Sequence, residues 1–250
     1  VAVIPASKRI EILNLTVQGI ISQVLRPDIL VIYLDYDASK GVRQFVSSLP
    51  SISTLKIQIK EYPIQDKWKV GENFRDGKLR ILWWYLMNNV WSVYSANQIC
   101  YFEDDTYPHS EFFKWVQEVR SKYNGNDYWG LLGTSHAMYT PMCLTKYEWA
   151  YLMHFCEDYC FSDSMAWDMV LFRLHNHGPL PHMRIEASQK IAVHLGYSNA
   201  DTKEKRSALI RELNKQNISL IKAVKREPLY AGRKQKQNFA DLNEKRLNIK

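Results

Sequence analysis

Three consecutive acids, Glu103, Asp104 and Asp105, follow directly after the apolar residues 99–102. Such a run is typical of a buried strand, and adjacent carboxylates at its end repel one another and resist burial. A divalent cation removes that conflict, because Mg²⁺ and Mn²⁺ prefer carboxylate oxygen. Since ligands of an open α/β sheet bind beyond the carboxyl ends of its strands, the motif indicates a site for a metal and a diphosphate. The alternative is a solvated acidic turn before a helix, with Ser110 as its N-cap.

The first part of the chain alternates between predicted strands and helices. Apolar runs at residues 1–5 and 29–34 and an alternating pattern at 55–59 predict three strands. Helices are predicted over about 10–21 and 41–48. This order favours a single α/β domain, in which a mostly parallel, Rossmann-like central sheet with right-handed crossovers is flanked by helices.

Further helices and strands are predicted downstream. Apolar or periodic segments predict helices at residues 78–87, 111–122, 146–155, 168–175 and 201–216. Further strands are predicted at 128–134, 137–139, 142–144 and 191–194, the last with a histidine at its tip. The Trp83-Trp84 pair on the first of these helices is interpreted as core.

The net charge of +7 is unevenly distributed along the 250 residues. Residues 197–250 hold fourteen Lys or Arg against six Asp or Glu, so the remainder is close to neutral. We therefore divide the chain into a catalytic domain at 1–197 and a basic helical extension at 198–250. A basic extension could bind nucleic acid, an anionic membrane surface or another protein, or it could simply be solvated. We expect no nucleic acid as a partner.

Targeting signals and cysteines bear on the compartment. No apolar stretch is long enough for a transmembrane helix, and Val1 begins directly in a strand-like run. Either the chain is cytosolic, or a targeting segment lies outside this sequence. Asn14-Leu15-Thr16 and Asn217-Ile218-Ser219 are glycosylation sequons, which matter only in the secretory pathway.

The chain has four cysteines, at positions 100, 143, 156 and 160. They are too few for a disulfide scaffold at this size, and they form no convincing zinc motif.

Four stretches in a fixed order carry a family resemblance. The first is Glu61-Tyr62-Pro63, followed by Lys78 and the Trp83-Trp84 helix, and the second is Glu103-Asp104-Asp105-Thr106-Tyr107, followed by Glu111-Phe112-Phe113. The third runs from Cys160 to Asp168 and ends in Trp167-Asp168. The fourth is Val193-His194-Leu195-Gly196. Together, over roughly residues 60–215, they resemble the N-acetylglucosaminyltransferase II family, glycosyltransferase family 16. The acidic motif here reads Glu-Asp-Asp-Thr, where the family's form is closer to Glu-Glu-Asp-His.

The resemblance implies a GT-A fold and a metal-dependent, inverting sugar transfer. By resemblance, Asp105 is the direct metal ligand and His194 is the second one. An imidazole ligand suits Mn²⁺ better than it suits Mg²⁺. Asp168 resembles the base that takes the proton of the acceptor hydroxyl. Asp163, five residues earlier, is the alternative base. Without the resemblance, His194 would be a strand cap and Asp168 a residue favoured at a helix N-terminus.

Further residues are assigned to the nucleotide and the sugar. Glu103 and Asp104 would bond the ribose or support the metal ligand. The residues expected to contact the nucleotide or its phosphates, unless they are ordinary surface charges, are Arg9, Asp35, Arg75 and Lys78. Trp167 would offer a flat apolar face to a sugar ring.

The expected donor is a UDP-sugar, most simply UDP-GlcNAc, and the expected acceptor is a glycan hydroxyl. UDP-xylose, UDP-galactose or a GDP-sugar remain alternatives with the same mechanism, and a non-catalytic carbohydrate-binding protein is the alternative from another class. If the resemblance holds and an anchor precedes this chain, the compartment would be the Golgi lumen. Membrane contact is expected only through such an anchor or through the basic tail.

Overall fold

The computed structural model describes residues 1–35, 37–62, 74–122, 140–159, 167, 168, 171, 184–196 and 200–226. Its strands are β1 Ala2–Ala6, β2 Ile29–Leu34, β3 Lys56–Glu61, β4 Gln98–Tyr101, β5 Thr106–Pro108, β6 Met142–Thr145, β7 Arg184–Ala187, β8 Ala192–His194 and β9 Ala223–Arg226. Its α-helices are α1 Ile10–Ile21, α2 Lys40–Ser47, α3 Phe74–Val93, α4 Phe112–Lys122, α5 Lys146–Tyr159 and α6 Lys203–Asn214, and a 3-10 helix spans Ile218–Leu220.

A five-stranded sheet in the order β3-β2-β1-β4-β6 forms the centre. The first four of these strands are parallel and β6 is antiparallel to β4. This confirms the expected α/β class with a mostly parallel sheet flanked by helices. Since β1 lies between β2 and β4, the segments that leave the carboxyl ends of these three strands meet at one edge of the sheet.

The alternation of side chains along the strands divides the core into two layers. Ala2 and Ile4 of β1 point to the layer that contains α1, α2 and α4, whereas Val3 points to the layer that contains α3 and α5. The second layer is aromatic, and Trp83 and Trp84 are 1% and 5% exposed within it. The interpretation of this pair as core is confirmed.

A two-stranded ribbon of β5 and β8 lies beside the main sheet. Thr106 is the antiparallel partner of His194, and the backbone N–H of Leu195 donates to the carbonyl of Asp105 at 2.8 Å. The sequence did not predict β5, because three residues are too few to show a period. This ribbon joins the end of β8 to the acidic motif.

The segment 200–226 packs against elements from the earlier part of the chain. Ile218 and Ile221 lie in the core, and the indole N–H of Trp115 donates to the carbonyl of Ile221 at 3.0 Å. β9 pairs with β7. The excess of charge predicted an extension because most cations in the described part of this segment lie on exposed positions, while widely spaced apolar residues enter the core.

Most predicted elements are present with shifted ends, and α3 is about twice as long as expected. The predicted strands 128–134 and 137–139 lie outside the described residues, as does most of the helix predicted at 168–175. Within the described part of the chain, no helix is long and apolar enough to cross a membrane. A disulfide joins Cys100 of β4 to Cys143 of β6, which the sequence did not single out.

Candidate functional site

Two carboxylates and one imidazole converge beyond the end of β4. The candidate ligand atoms of Glu103, Asp105 and His194 all lie within 4.8 Å of one another. Nδ1 of His194 is 3.3 Å from Oδ1 of Asp105 and 3.7 Å from Oε2 of Glu103. The structure therefore brings together the two predicted metal ligands and the first acid of the motif.

Backbone hydrogen bonds fix the acidic motif in place. Phe102 is fully buried, and its N–H continues the parallel pairing by donating to the carbonyl of Val3 at 2.9 Å. A turn follows, in which the backbone N–H of Thr106 donates a hydrogen bond to the carbonyl of Glu103 at 3.1 Å. The hydroxyl of Thr16 on α1 donates to the carbonyl of Asp104 at 3.0 Å. Because β1, α1 and the turn's own hydrogen bond hold this backbone, the carboxylates are positioned without a ligand.

Arg9 lies just before α1 and contacts two of the acids. One of its terminal nitrogens donates to Oδ2 of Asp105 at 2.9 Å, and the other is paired with Oδ1 of Asp104. The Arg9 side chain remains 44% exposed. The predicted nucleotide residue therefore sits against the metal-ligand candidates, with part of its guanidinium open to solvent.

Thr140 is a site residue that the sequence analysis missed. It is 1% exposed, and its Oγ1 lies 2.9 Å from Nε2 of His194 and 3.5 Å from Oε2 of Glu103. With Nε2 directed to this hydroxyl, Nδ1 of His194 faces the carboxylates. No motif around Thr140 signals this contact, since it arises only when the chain folds back beside β4.

Burial and charge together set the pKa values in the cluster. Burial raises the pKa of Glu103 to about 7; the nearby His194 opposes the shift, whereas Asp105 and Asp168 add to it. Burial acts against ionisation of Asp105 as well, but hydrogen bonds from His194 and Arg9 outweigh it and lower the pKa of Asp105.

Burial of His194 favours its neutral ring, yet the hydrogen bond to Asp105 and the charge of Glu103 raise the pKa of His194. Burial also raises the pKa of Asp104, against the effect of Arg9. A cluster whose members shift in opposite directions is characteristic of a functional site.

Gly196 provides the room that the cluster needs. A Cβ atom at this position would overlap Oδ2 of Asp105 and Nη1 of Arg9. The glycine in the Val193-His194-Leu195-Gly196 stretch therefore has a steric role beside the predicted ligand.

Asp168 belongs to the electrostatic environment of the cluster. It is half-buried, and its charge contributes to the raised pKa values of Glu103 and Tyr101. Its neighbour Trp167 is 4% exposed and stacks on Trp83, with ring centres 5.2 Å apart. The expectation that Trp167 offers an open face to a sugar is therefore corrected, because the ring is enclosed in the aromatic core.

The remaining predicted site residues divide into two groups. Asp35 is buried directly after β2, at the same edge of the sheet as the acids, and its backbone N–H donates to the carbonyl of Ala6 at 2.8 Å. Arg75 and Lys78 lie in the first turns of α3, but their side chains are outside the described residues, as is Asp163.

The donor set fits a divalent cation. Adjacent ligands of an octahedral Mg²⁺ or Mn²⁺, bound at about 2.1 Å, lie about 3.0 Å apart. The separations of 3.3 and 3.7 Å from Nδ1 of His194 are close to that value. Carboxylate oxygens and an imidazole nitrogen are ligands that such a cation accepts.

Comparisons with known proteins find only weak similarity. No model of a protein family matches the chain, and no curated protein matches its sequence. The structure of S. aureus TarS 1–349 in complex with UDP aligns with a TM-score of 0.38 and 10% identity, over 54% of this chain and 35% of that one. A second structure of TarS 1–349 aligns with a TM-score of 0.44 and 10% identity, over 69% and 53%.

A further solved structure covers more of the chain. It is 4-diphosphocytidyl-2C-methyl-D-erythritol synthase from Anaerococcus prevotii DSM 20548, with a TM-score of 0.46 and 12% identity over 85% of this chain and 94% of that one. The chain spans about a third to a half of the TarS fragments that it matches. Similarity this weak identifies neither a family nor an activity.

Proposed function

We propose that this chain is a metal-dependent, inverting glycosyltransferase that takes its sugar from a nucleotide-sugar donor, most simply UDP-GlcNAc. The observation that carries the proposal is the convergence of Glu103, Asp105 and His194 at the carboxyl edge of a mostly parallel sheet. That edge is where nucleotide ligands of open α/β sheets bind. A solvated acidic turn does not require a half-buried histidine with a second protein partner on its other ring nitrogen.

Asp105 and His194 would hold the cation, with Glu103 beside them. A bound Mn²⁺ or Mg²⁺ would offset the charge that develops on the departing nucleotide diphosphate. Arg9, already in contact with Asp105 and partly exposed, lies where it can donate to a phosphate oxygen. Thr140 keeps Nδ1 of His194 directed toward the carboxylates.

Asp168 is the proposed base. In an inverting transfer the acceptor oxygen attacks the anomeric carbon from the face opposite the diphosphate, so one carboxylate is enough to take its proton. Asp168 is half-buried and close enough to the cluster to influence its pKa values, which suits a group acting beside the bound donor. No covalent intermediate is required.

Other nucleotide sugars are alternative donors for the same site. UDP-xylose, UDP-galactose or a GDP-sugar would use the same cation, the same base and the same direction of attack. A non-catalytic carbohydrate-binding protein would need neither a cation beside a diphosphate pocket nor a base, so the cluster favours the enzyme.

The proposal is tested by incubating the chain with a panel of nucleotide sugars, with Mn²⁺ or with EDTA. We expect hydrolysis or transfer from one donor only with Mn²⁺, and a loss of about 100-fold or more in Asp168→Asn, in the range for removal of a general base. Asp201→Asn is the matched control, since Asp201 is exposed and pairs with Lys205 on α6. Full turnover in Asp168→Asn would exclude this residue as the base.

A further inference from the structure

The two sequons of the chain, at Asn14 and Asn217, differ sharply in their structural setting. An Asn-x-Ser or Asn-x-Thr sequence accepts a glycan only in a glycosylating compartment, and the bulky glycan must lie at the surface of the folded chain. We infer that Asn217 is an N-glycosylation acceptor and that Asn14 is not. This inference does not depend on the proposed function.

Asn217 lies at an exposed turn between α6 and the 3-10 helix Ile218–Leu220. Its Oδ1 accepts the backbone N–H of Ser219 at 3.0 Å and the hydroxyl of the same residue at 2.6 Å. Among the described residues, none bonds to Nδ2 of Asn217. The sequon therefore presents its amide nitrogen outward while the hydroxyl of Ser219 is held on the amide oxygen.

That arrangement suits the chemistry of the modification. The bond that forms joins Nδ2 of Asn217 to the anomeric carbon of an oligosaccharide carried on a lipid diphosphate. The bond that breaks joins that carbon to the diphosphate, and Nδ2 gives up a proton to the transferring enzyme. Charge that develops on the amide oxygen as this proton leaves is stabilised by the two donors of Ser219.

Asn14 lacks this geometry. It lies within α1 and is half-buried, between Leu13, which enters the core, and the site-facing Thr16. Thr16 is fully buried, and its hydroxyl donates to the carbonyl of Asp104 instead of turning back to the asparagine. A glycan here would extend from the helix that supports the acidic motif.

The disulfide supplies a second, independent observation about the compartment. Cys100 and Cys143 are almost fully buried and face each other across β4 and β6. Disulfides persist in oxidising compartments such as the lumen of the endoplasmic reticulum, which is also where asparagine is glycosylated. Both features therefore point to passage through that compartment.

The test is expression of the full chain behind a secretory leader in yeast, with intact mass measured before and after treatment with peptide N-glycosidase. We expect the mass of one glycan, lost in Asn217→Gln and in Ser219→Ala and retained in Asn14→Gln and Ser219→Thr. Peptide mapping without reductant is expected to show the Cys100–Cys143 link in the same material.

Asn217 and Ser219 are exposed, so their replacement leaves the core packing unchanged, and secretion of each variant is the control. Secreted protein that carries no glycan would overturn the inference. A glycan that disappears in Asn14→Gln and stays in Asn217→Gln would overturn it as well.

Discussion

Oγ1 of Thr140 lies 2.9 Å from Nε2 of His194, a residue 54 positions further along the chain. This contact decides which ring nitrogen faces Asp105 and Glu103. If Nδ1 were a metal ligand, Nε2 would keep the ring proton and donate a hydrogen bond to the Thr140 hydroxyl. Thr140 is therefore a positioning residue for the proposed metal site.

Replacing Thr140 by valine keeps the shape of the side chain but removes the hydrogen-bond partner of His194. We expect the affinity for Mn²⁺ to fall about 10- to 100-fold, the usual effect of losing a group that orients a metal ligand. Thr140→Ser keeps the hydroxyl and is expected to stay close to wild type. Titration calorimetry measures the affinity, and ¹⁵N shifts of the His194 ring report its tautomer. Equal affinities and tautomers in both variants would contradict the role of Thr140.

Gly196→Ala is expected to disturb the same site sterically. Its Cβ would overlap Asp105 and Arg9, so one of them must move, and we expect a loss of about tenfold or more in Mn²⁺ affinity. Gly41→Ala is the matched control, because there the Cβ meets only the flexible end of Ile10. Thermal unfolding of both variants separates a local effect from general destabilisation. Wild-type affinity in Gly196→Ala would show that the cluster tolerates the displacement.

Affinity for Mn²⁺ is expected to rise with pH. Glu103, with its pKa near 7, and His194, with its pKa raised, both bind protons in the metal-free protein at mildly acidic pH. The cation binds only their deprotonated forms, so protons compete with it below about pH 7. Calorimetric titrations from pH 6 to 8 check this, with Glu103→Gln predicted to flatten the profile. A profile independent of pH would mean that neither group binds the cation.

The disulfide between Cys100 and Cys143 closes a loop with a sequence separation of 43. Constraint of the unfolded chain by such a loop contributes about 2–4 kcal/mol to the free energy of unfolding. The double variant Cys100→Ala/Cys143→Ala should lose that amount in denaturant unfolding. Wild-type protein treated with reductant is the control and should match it. Identical midpoints with and without reductant would show that the bond does not form in solution.

The position of the site could be predicted from the sequence, whereas its supporting contacts could not. Long apolar runs such as β2 identify buried parallel strands, and the parallel order alone places Asp35 and Asp105 at one edge of the sheet. Thr140 could not be found in this way, because its contact with His194 depends on the path of the chain after α4. Local sequence carries no signal for a pairing of that range.

The packing of the C-terminal segment also could not be predicted from the sequence. Its composition is dominated by exposed charges such as Lys203 and Lys205, which predict a solvated extension. Its packing depends instead on a few apolar residues, Leu213, Ile218 and Ile221, whose spacing follows no single period.

The environment of Trp167 could not be predicted from the sequence either. A tryptophan next to a functional acid can line a site or fill a core, and only its burial in the structure distinguishes the two.

We propose that Asp105 and His194 would hold a cation that offsets the charge of a nucleotide diphosphate. The most direct measurement is the affinity of UDP for the chain with Mn²⁺ and with EDTA, in wild type and in Asp105→Asn. We expect Mn²⁺ to strengthen UDP binding in wild type by about 5- to 150-fold, the usual range of coupling between two sites, and to have little effect in Asp105→Asn. UDP binding of equal strength in EDTA and in Mn²⁺ would contradict the claim.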